Sequence, residues 1–172
     1  ETNPNQGRTP RDISLHGHYP YCNLFEGNVV QEIDVADYWG PCGPGNTFLR
    51  NEVLAEGLEI FDYSHGQNVV GNEIGSGRYG LLIDTSVGGT LGHGNDVNGS
   101  VQWDDSIADH TIPVSYYLTL KPWFFGDTPW PIIGPDVIGT ATLPAQARYE
   151  SGQYVAKVRE PRWLADTPAP TS

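Results

Sequence analysis

The sequence contains no methionine, only two cysteines and few charged residues, and each scarcity excludes a class of structure. Charged residues make up 17% of the chain, so the Lys-, Glu- and Arg-rich surface of amphipathic helices is missing. No apolar run approaches the length of a membrane-spanning helix, and we expect no membrane insertion. No CxxC motif or zinc-ligand spacing is present, which argues against haem attachment and a structural zinc site.

Positive charge is also scarce, and the formal net charge is −12. A surface this acidic repels the phosphates of nucleic acid and of anionic membranes, so neither is an expected partner. The chain begins Glu1-Thr2-Asn3 without a basic and apolar signal segment. Together with the missing methionine, this start indicates a processed product or a part of something longer.

What the sequence does have is 21 glycines and 14 prolines, with β-branched and aromatic residues in short runs between them. Few stretches could sustain an amphipathic helix, whereas short runs bounded by turn residues are typical of β-strands. At 172 residues the chain is long enough for one domain with a core, and too short for two ordinary ones. The composition therefore predicts an all-β protein.

The first part of the chain contains a repeat of four short segments. Each has an asparagine followed two residues later by an apolar residue, and the asparagines are Asn28, Asn51, Asn72 and Asn95. The steps between them are 23, 21 and 23 residues, which suits one turn of a solenoid built from short strands. Asparagine tolerates the left-handed conformation of a sharp corner, and its amide can bond to the amide of the next coil.

A second apolar run follows each asparagine and predicts the other strand of each coil. The runs are Ile33–Val35, Leu58–Ile60, Leu81–Ile83 and Val101–Trp103. Alternation points the first and third residue of each run inward, so stacked coils would form internal columns of mostly aliphatic side chains. We therefore expect about four parallel coils rather than an ordinary β-sandwich.

The two cysteines, Cys22 and Cys42, precede the repeat core in consecutive coils and are 20 residues apart. Because that separation is close to one coil, we expect a disulfide between them, with two free buried thiols as the alternative. A disulfide would agree with an oxidising environment outside the cell.

Beyond the repeat the chain reads Lys121-Pro122-Trp123-Phe124-Phe125-Gly126, then Trp130-Pro131-Ile132-Ile133-Gly134-Pro135-Asp136, then Leu143-Pro144-Ala145. These segments resemble the tail of secreted bacterial right-handed parallel β-helix proteins, the broad pectate-lyase-like superfamily. The resemblance implies a right-handed parallel β-helix with an irregular cap, at an extracellular or cell-surface location. Family lyases and hydrolases place catalytic groups on their middle coils, and no motif here identifies a catalytic residue.

The expected organisation is an N-terminal arm over 1–11, coils over 12–118, a C-terminal cap over 119–152 and an extended tail over 153–172. The end of a solenoid exposes strand edges and an open core, which the aromatic and proline-rich cap would cover. Contact with carbohydrate is the alternative for exposed rings, and the candidates are Trp123, Trp130, Trp39 and Tyr38.

An acidic residue lies in or just after the second strand of each coil, and the four are Asp34, Asp62, Asp84 and Asp104. Carboxylates that share one face could bind Ca²⁺ or act as acid and base on a polysaccharide. The alternative is that each aspartate caps a turn.

Three functions agree with these patterns, and the first is preferred. The first is an extracellular structural or interaction module, completed by stacking on another chain or on upstream coils at its open N-terminal coil. The others are a carbohydrate-binding or adhesin module and the remnant of a polysaccharide lyase or hydrolase. No complete active site is expected.

Overall fold

The computed structural model describes residues 11–36, 39–84 and 86–153. In chain order the strands of these ranges are β1 (Ile13–Leu15), β2 (Leu24–Glu26), β3 (Val29–Val35), β4 (Thr47–Leu49), β5 (Glu52–Ile60), β6 (Asn68–Val70), β7 (Glu73–Ile74), β8 (Gly80–Ile83), β9 (Leu91–His93), β10 (Asn95–Val97) and β11 (Ser100–Gln102). A 3₁₀ turn (Trp123–Phe125) and helix α1 (Pro144–Glu150) follow. The predicted terminal arm and tail lie almost wholly outside the described residues.

The strands form two sheets. Sheet B is the parallel series β2-β4-β6-β9, and sheet A is the series β1-β3-β5-β7-β10-β11, with β8 also paired to β5. Successive strands of sheet B are 21 to 23 residues apart and in register, as Leu24 opposite Thr47 illustrates. Parallel strands that recur at this interval form a β-solenoid of about four coils, which confirms the predicted all-β fold.

The core lies between the two sheets and follows the predicted columns. Ile33 lies opposite Leu58 and Val35 opposite Ile60, and all four side chains are fully buried. Each such side chain contributes about 1.5–3 kcal/mol to folding relative to an exposed position. Alternation along β3 and β5 therefore sets the register, since a slip by one residue would turn each column out of the core.

The fourth predicted second strand differs from the other three. Residues 101–103 do not continue the parallel coil, because β11 pairs with β10 in antiparallel register. The two residues between them, Asn98 and Gly99, have φ of +56° and +78°, as a tight two-residue hairpin turn requires. A hairpin therefore closes sheet A at the end we call the downstream end, formed by β9, β10 and β11.

The repeated asparagines form a hydrogen-bonded ladder at the corner between sheet B and sheet A. Nδ2 of Asn28 donates to Oδ1 of Asn51 at 2.8 Å, Asn51 donates to Asn72 at 3.0 Å, and Asn72 donates to Asn95 at 2.9 Å. The residue in the left-handed conformation is the one before each asparagine. Those residues are Gly27, Arg50, Gly71 and Gly94, with φ between +51° and +67°.

A second ladder, which the sequence analysis missed, lies at the other end of the sheet B strands. Nδ2 of Asn23 donates to Oδ1 of Asn46 at 2.8 Å, and Nδ2 of Asn46 donates to Oε1 of Gln67 at 2.9 Å. The backbone N–H of Gln67 then donates to Oγ1 of Thr90 at 3.3 Å. Each strand of sheet B thus lies between two columns of polar side chains.

After the hairpin the chain runs back along the glycine corner in a segment, residues 109–118, that we call the strap. Ile112 lies so close to this corner that a Cβ on Gly71 would come within 2.5 Å of its side chain, and one on Gly94 within 3.0 Å. Glycine at these positions therefore serves the close approach of the strap as well as the positive φ.

At the corner of the second coil, Arg50 occupies the position that glycine holds in the other three coils. Its side chain binds the strap. Its Nε donates to the carbonyl of Pro113 at 2.7 Å, and one coil upstream the N–H of Tyr116 donates to Oε2 of Glu26 at 2.9 Å. The strap thus crosses the corner of all four coils instead of continuing them. No strand follows Gln102 in the described residues, although the coils were predicted to extend to 118.

The guanidinium of Arg50 is 2% exposed and uses all five of its donors. Besides Pro113, it donates to the carbonyls of Ile112 and Ile133 and to both carboxylate oxygens of Asp136, each of the latter at 2.8 Å. These hydrogen bonds lower the pKa of Asp136. Arg50 therefore joins two distant segments to the second coil with no unpaired donor.

The aromatic residues of the predicted cap do not all cover a core. Phe125 is buried and Trp130 is partly buried, but Trp123 is 89% exposed and Phe124 is 50% exposed. The prediction that this aromatic cluster covers the core is therefore wrong for two of its four rings, because Trp123 and Phe124 face solvent. The unit from 142 onward contains the seven-residue helix α1.

Candidate functional site

No disulfide joins Cys22 and Cys42, so the predicted bridge is wrong. The register explains the error: Leu24 lies opposite Thr47, so the residue stacked on Cys22 is Gly45. A Cβ built on Gly45 would lie 3.1 Å from the Cys22 sulfur. The Cys42 thiol is buried and donates to the carbonyl of Ala36 at 3.5 Å.

The four predicted aspartates are not brought together. Asp34 lies opposite Glu59, Asp62 lies in a turn with φ of +55°, and Asp84 and Asp104 accept hydrogen bonds from the serines two residues further on. Those hydrogen bonds lower the pKa of Asp84 and of Asp104. The alternative prediction, that the aspartate caps a turn, is therefore confirmed for Asp84 and Asp104.

A metal site also needs several converging ligands. Among the residues that the structure describes, no group of three or more His, Cys, Asp or Glu side chains could hold a metal ion. The predicted calcium site therefore gains no support from the placement of these aspartates.

The four rings proposed for carbohydrate contact are dispersed. Trp39 is 72% exposed and lies beside His16, with ring centroids 4.9 Å apart. Trp123 is exposed at the start of the 3₁₀ turn, and Trp130 is partly buried. Tyr38 lies outside the described residues.

A different row of carboxylates does lie on one face of sheet A. Glu52 lies opposite Glu73, and Glu73 lies opposite Asp96, so the three stack at the strand spacing of about 4.8 Å. They line a groove of about 230 Å³ together with residues that include Leu54 and Asn98. We call this the acidic groove.

The three carboxylates of the acidic groove have different surroundings. Burial and the neighbouring Glu73 raise the pKa of Glu52, whereas Glu73 accepts the N–H of Gly134 at 2.8 Å. Oδ1 of Asp96 is buried and accepts no hydrogen bond from the described part of the chain. Two adjacent carboxyls, one of them with a raised pKa, form an arrangement that acid–base chemistry on polysaccharides can use.

The sequence carried a signal for this groove. Each of its carboxylates directly follows a ladder asparagine, in the pairs Asn51-Glu52, Asn72-Glu73 and Asn95-Asp96. Residues next to each other in a strand point to opposite faces, so a residue directly after an inward corner amide points outward. The predicted aspartates were chosen in or just after the second strands instead: Asp34 lies within β3, and Asp62, Asp84 and Asp104 follow the apolar runs.

A second candidate is the upstream end of the solenoid, formed by β1 and β2. The N–H of Thr47 donates to the carbonyl of Asn23 and that of Gly27 to the carbonyl of Leu49, so residues 23, 25 and 27 face β4. By alternation, the N–H and C=O groups of Leu24 and Glu26 point to the opposite edge. Sheet B has no described strand beyond that edge.

The core at this upstream end is incompletely covered. Phe25 stacks on Phe48 with ring centroids 5.3 Å apart, but Phe48 is fully buried and Phe25 only partly. Ile13, Leu15 and Phe25 all pack against the core as half-buried residues. Half-buried core side chains above an unpaired strand edge form a template for further β pairing.

The chain matches no protein-family model, no curated protein and no solved structure. In the described residues, none of the helical segments has both the length and the apolar character needed to cross a membrane.

Proposed function

We propose that the protein is a structural or interaction module that another parallel coil completes by stacking on the upstream end. The observation that carries this proposal is the edge of β2 at Leu24 and Glu26, which no strand of the described residues pairs. The donors and acceptors of an unpaired strand favour association with a further strand. The coil would come from another chain or from upstream coils of a longer protein.

The half-buried residues at that end support the proposal. A coil stacked there would cover Ile13, Leu15 and Phe25, and burying apolar surface contributes roughly 25 cal/mol per Å². We also propose an extracellular or cell-surface location and kinship with the pectate-lyase-like superfamily. The resemblance of segments 121–126 and 130–136 to the tails of that superfamily supports the kinship.

A peptide that copies the β6–β7 corner of one coil tests the proposal. The probe is the fluorescently labelled sequence of residues 66–75, which contains β6 and β7, added to the full chain. Leu24→Pro removes one outward N–H from β2 without touching its pairing with β4. Leu24→Ala trims the same side chain, keeps the N–H and is the matched control.

We expect fluorescence anisotropy to show binding to the native chain and to Leu24→Ala, and weak or no binding to Leu24→Pro. Unfolding temperatures of both variants check that the fold persists. Equal binding to all three chains would place the peptide elsewhere, and no binding to the native chain would contradict the proposal.

Contact with a polysaccharide is a second candidate function, and the acidic groove favours it. The raised pKa of Glu52 beside Glu73 suits an acid and base pair, and exposed rings such as Trp39 and Trp123 suit sugar faces.

A panel of acidic polysaccharides, with and without Ca²⁺, tests this candidate through the release of unsaturated or reducing sugars. Glu52→Gln and Glu73→Gln should abolish any release, whereas Asp84→Asn, a turn-capping position, should not. A glycan array checks binding without cleavage. No release and no binding would eliminate the candidate.

A further inference from the structure

We propose that His93 is a pH-sensitive switch that holds the loop between the hairpin and the strap against β9. This loop, residues 103–108, stays closed while the His93 ring is neutral and opens when the ring is protonated. The inference concerns the downstream end of the solenoid and is independent of what stacks on the upstream end.

Both nitrogens of the His93 ring contact backbone groups of this part of the chain. Nδ1 accepts the N–H of Asp104 at 3.2 Å, and Nε2 lies 3.1 Å from the carbonyl oxygen of Asp109. Asp104 lies two residues after the end of β11, and Asp109 is the first residue of the strap. His93 is only 5% exposed. One buried side chain of β9 therefore holds the loop near both of its ends.

These two contacts fix the protonation state of the ring. A backbone N–H can only donate, so the Nδ1 that accepts the N–H of Asp104 must carry a lone pair. A neutral imidazole then has its proton on Nε2, which donates to the carbonyl of Asp109. An imidazolium has a proton on both nitrogens, so its Nδ1 would face the N–H of Asp104 as donor against donor. Protonation therefore leaves that N–H without an acceptor and destabilises the closed loop.

Three titratable groups face the ring in the described part of the chain, and they are Asp104, Asp109 and His110. Hydrogen bonds from the residue two positions further on lower the pKa of both aspartates, and the charge of His93 lowers the pKa of each further. The two carboxylates thus attract a charged ring, whereas the N–H of Asp104 requires a neutral one. A change in the charge of the ring is therefore coupled to the loss of its hydrogen bond.

The neighbouring His110 provides a control for a general effect of histidine protonation. Its ring stacks on Trp103 with centroids 4.1 Å apart and planes within 4°, and the edge of His93 lies against the same Trp103 at 4.8 Å. His110 is exposed, and its ring makes no hydrogen bond with the described residues. It has the same titratable group as His93 but holds no backbone group of the loop.

Opening of the loop would act on the packing beside the strap. A Cβ on Gly94 would come within 2.7 Å of Trp103, so this ring lies directly on the corner of the last coil. Trp103 also packs against the small cluster of Leu49, Val70 and Ile112. Release of the loop would lift Trp103 from this cluster, whereas the core between the two sheets would stay closed.

The test follows the ring and the loop in the full chain between about pH 8 and about pH 5, where imidazoles titrate. NMR shifts of the ring nitrogens report which of them carries a proton. Amide exchange, divided by the intrinsic rate at each pH, reports the protection of the Asp104 N–H, with Leu58 in β5 as the reference for the core.

Two variants separate the switch from other effects of pH. His93→Asn supplies a side-chain oxygen that can accept the same N–H but does not titrate. His110→Phe keeps an aromatic ring on Trp103 and removes the other imidazole. The native chain and both variants are measured in the same way.

We expect the proton on Nε2 of His93 at about pH 8, and a loss of Asp104 protection of about tenfold by about pH 5, because the N–H loses its acceptor. The loss should have the same midpoint as the titration of the His93 ring, and Leu58 should not change. His110→Phe should behave like the native chain, whereas His93→Asn should keep its protection constant.

Several results would overturn the inference. They are a proton on Nδ1 at the upper pH, constant protection of Asp104 in the native chain, an equal loss at Leu58, a loss that His110→Phe removes, and an equal loss in His93→Asn. If His93→Asn does not fold, or leaves Asp104 unprotected at every pH, the native chain decides alone. Different midpoints for its ring titration and its loss of protection would then contradict the switch.

Discussion

The two ends of the solenoid are built differently. At the downstream end β11 pairs with β10, the last parallel strand of sheet A, in an antiparallel hairpin. The rings of Trp103 and His110 stack with their centroids 4.1 Å apart. His93 accepts the N–H of Asp104 at Nδ1 and contacts the carbonyl of Asp109 through Nε2 at 3.1 Å. At the upstream end the described residues supply only the three-residue strand β1, which covers part of sheet A.

The difference shows that a parallel coil cannot by itself terminate the solenoid. Each coil leaves the same donors and acceptors on its outer edge that it satisfied on its inner one, so an end needs a separate device. The downstream device is an antiparallel turn followed by the strap, which ties the corners of all four coils together. The upstream edge carries the pattern of an interior interface, which is why we assign it to a partner coil.

The largest expected effect comes from removing the residue that ties the strap to the coils. Arg50→Ala leaves Asp136 and three carbonyls without their donors, and we expect a loss of about 3–5 kcal/mol in the free energy of unfolding. Urea denaturation measures it, with Arg78→Ala as the control because Arg78 is exposed and lies over the Tyr79 ring. A loss below about 1 kcal/mol would mean that the strap is not held by Arg50.

Interior and terminal ladder positions give the next contrast. Asn72→Leu leaves donors and acceptors of two neighbouring coils unpaired in a buried site, and should cost about 3 kcal/mol. Asn28→Leu at the upstream end should cost about 1 kcal/mol, because among the described residues the Asn28 side chain bonds only to Asn51. Equal losses in urea denaturation would show that the upstream end is already completed within this chain.

Alanine substitution should cost more stability at a corner glycine that the strap contacts than at one that it does not contact. A Cβ on Gly71 would lie 2.5 Å from Ile112, whereas one on Gly27 would meet nothing within 4 Å. Both have positive φ, so each alanine strains the backbone by about 1 kcal/mol. Gly71→Ala should cost about 1–3 kcal/mol more by overpacking, measured as the difference between the two unfolding midpoints. Equal costs would contradict the position of the strap.

The smallest expected effect is that of Glu52 in the acidic groove. Its raised pKa means that the folded chain binds the proton more tightly, so ionised Glu52 lowers stability above that pKa. Glu52→Gln should therefore raise the unfolding temperature slightly at pH 7, and the gain should vanish at a pH where Glu52 is protonated in both states. Glu26→Gln is the control, because Glu26 bonds to Tyr116 instead. A gain that is constant with pH would exclude the electrostatic cause.

The sequence predicted the fold through the asparagine repeat, because one residue type recurs at one corner of every coil. The second ladder was missed because its members are Asn23, Asn46, Gln67 and Thr90, which share chemistry but not identity. The hairpin was missed although Asn98-Gly99 is a strong turn signal between two short strands.

The errors at the candidate sites have one physical cause. The number of residues between stacked positions differs from one strand pair to another. Ile13 lies 20 residues from its partner Ile33, Leu24 lies 23 from Thr47, and Ile33 lies 25 from Leu58. Sequence spacing alone therefore could not decide which residue lies on Cys22, nor which acidic residues share a face. The register of each strand pair decides both.

The central claim is that the upstream end accepts a parallel coil, and amide hydrogen exchange tests it most directly. The full chain is exchanged with and without a saturating concentration of the 66–75 peptide, and rates are read at single amides by NMR. The account predicts that the outward amides of Leu24 and Glu26 slow by at least about tenfold on binding, while Gly92 in β9 does not change. Unchanged rates at Leu24 and Glu26, or an equal slowing at Gly92, would contradict it.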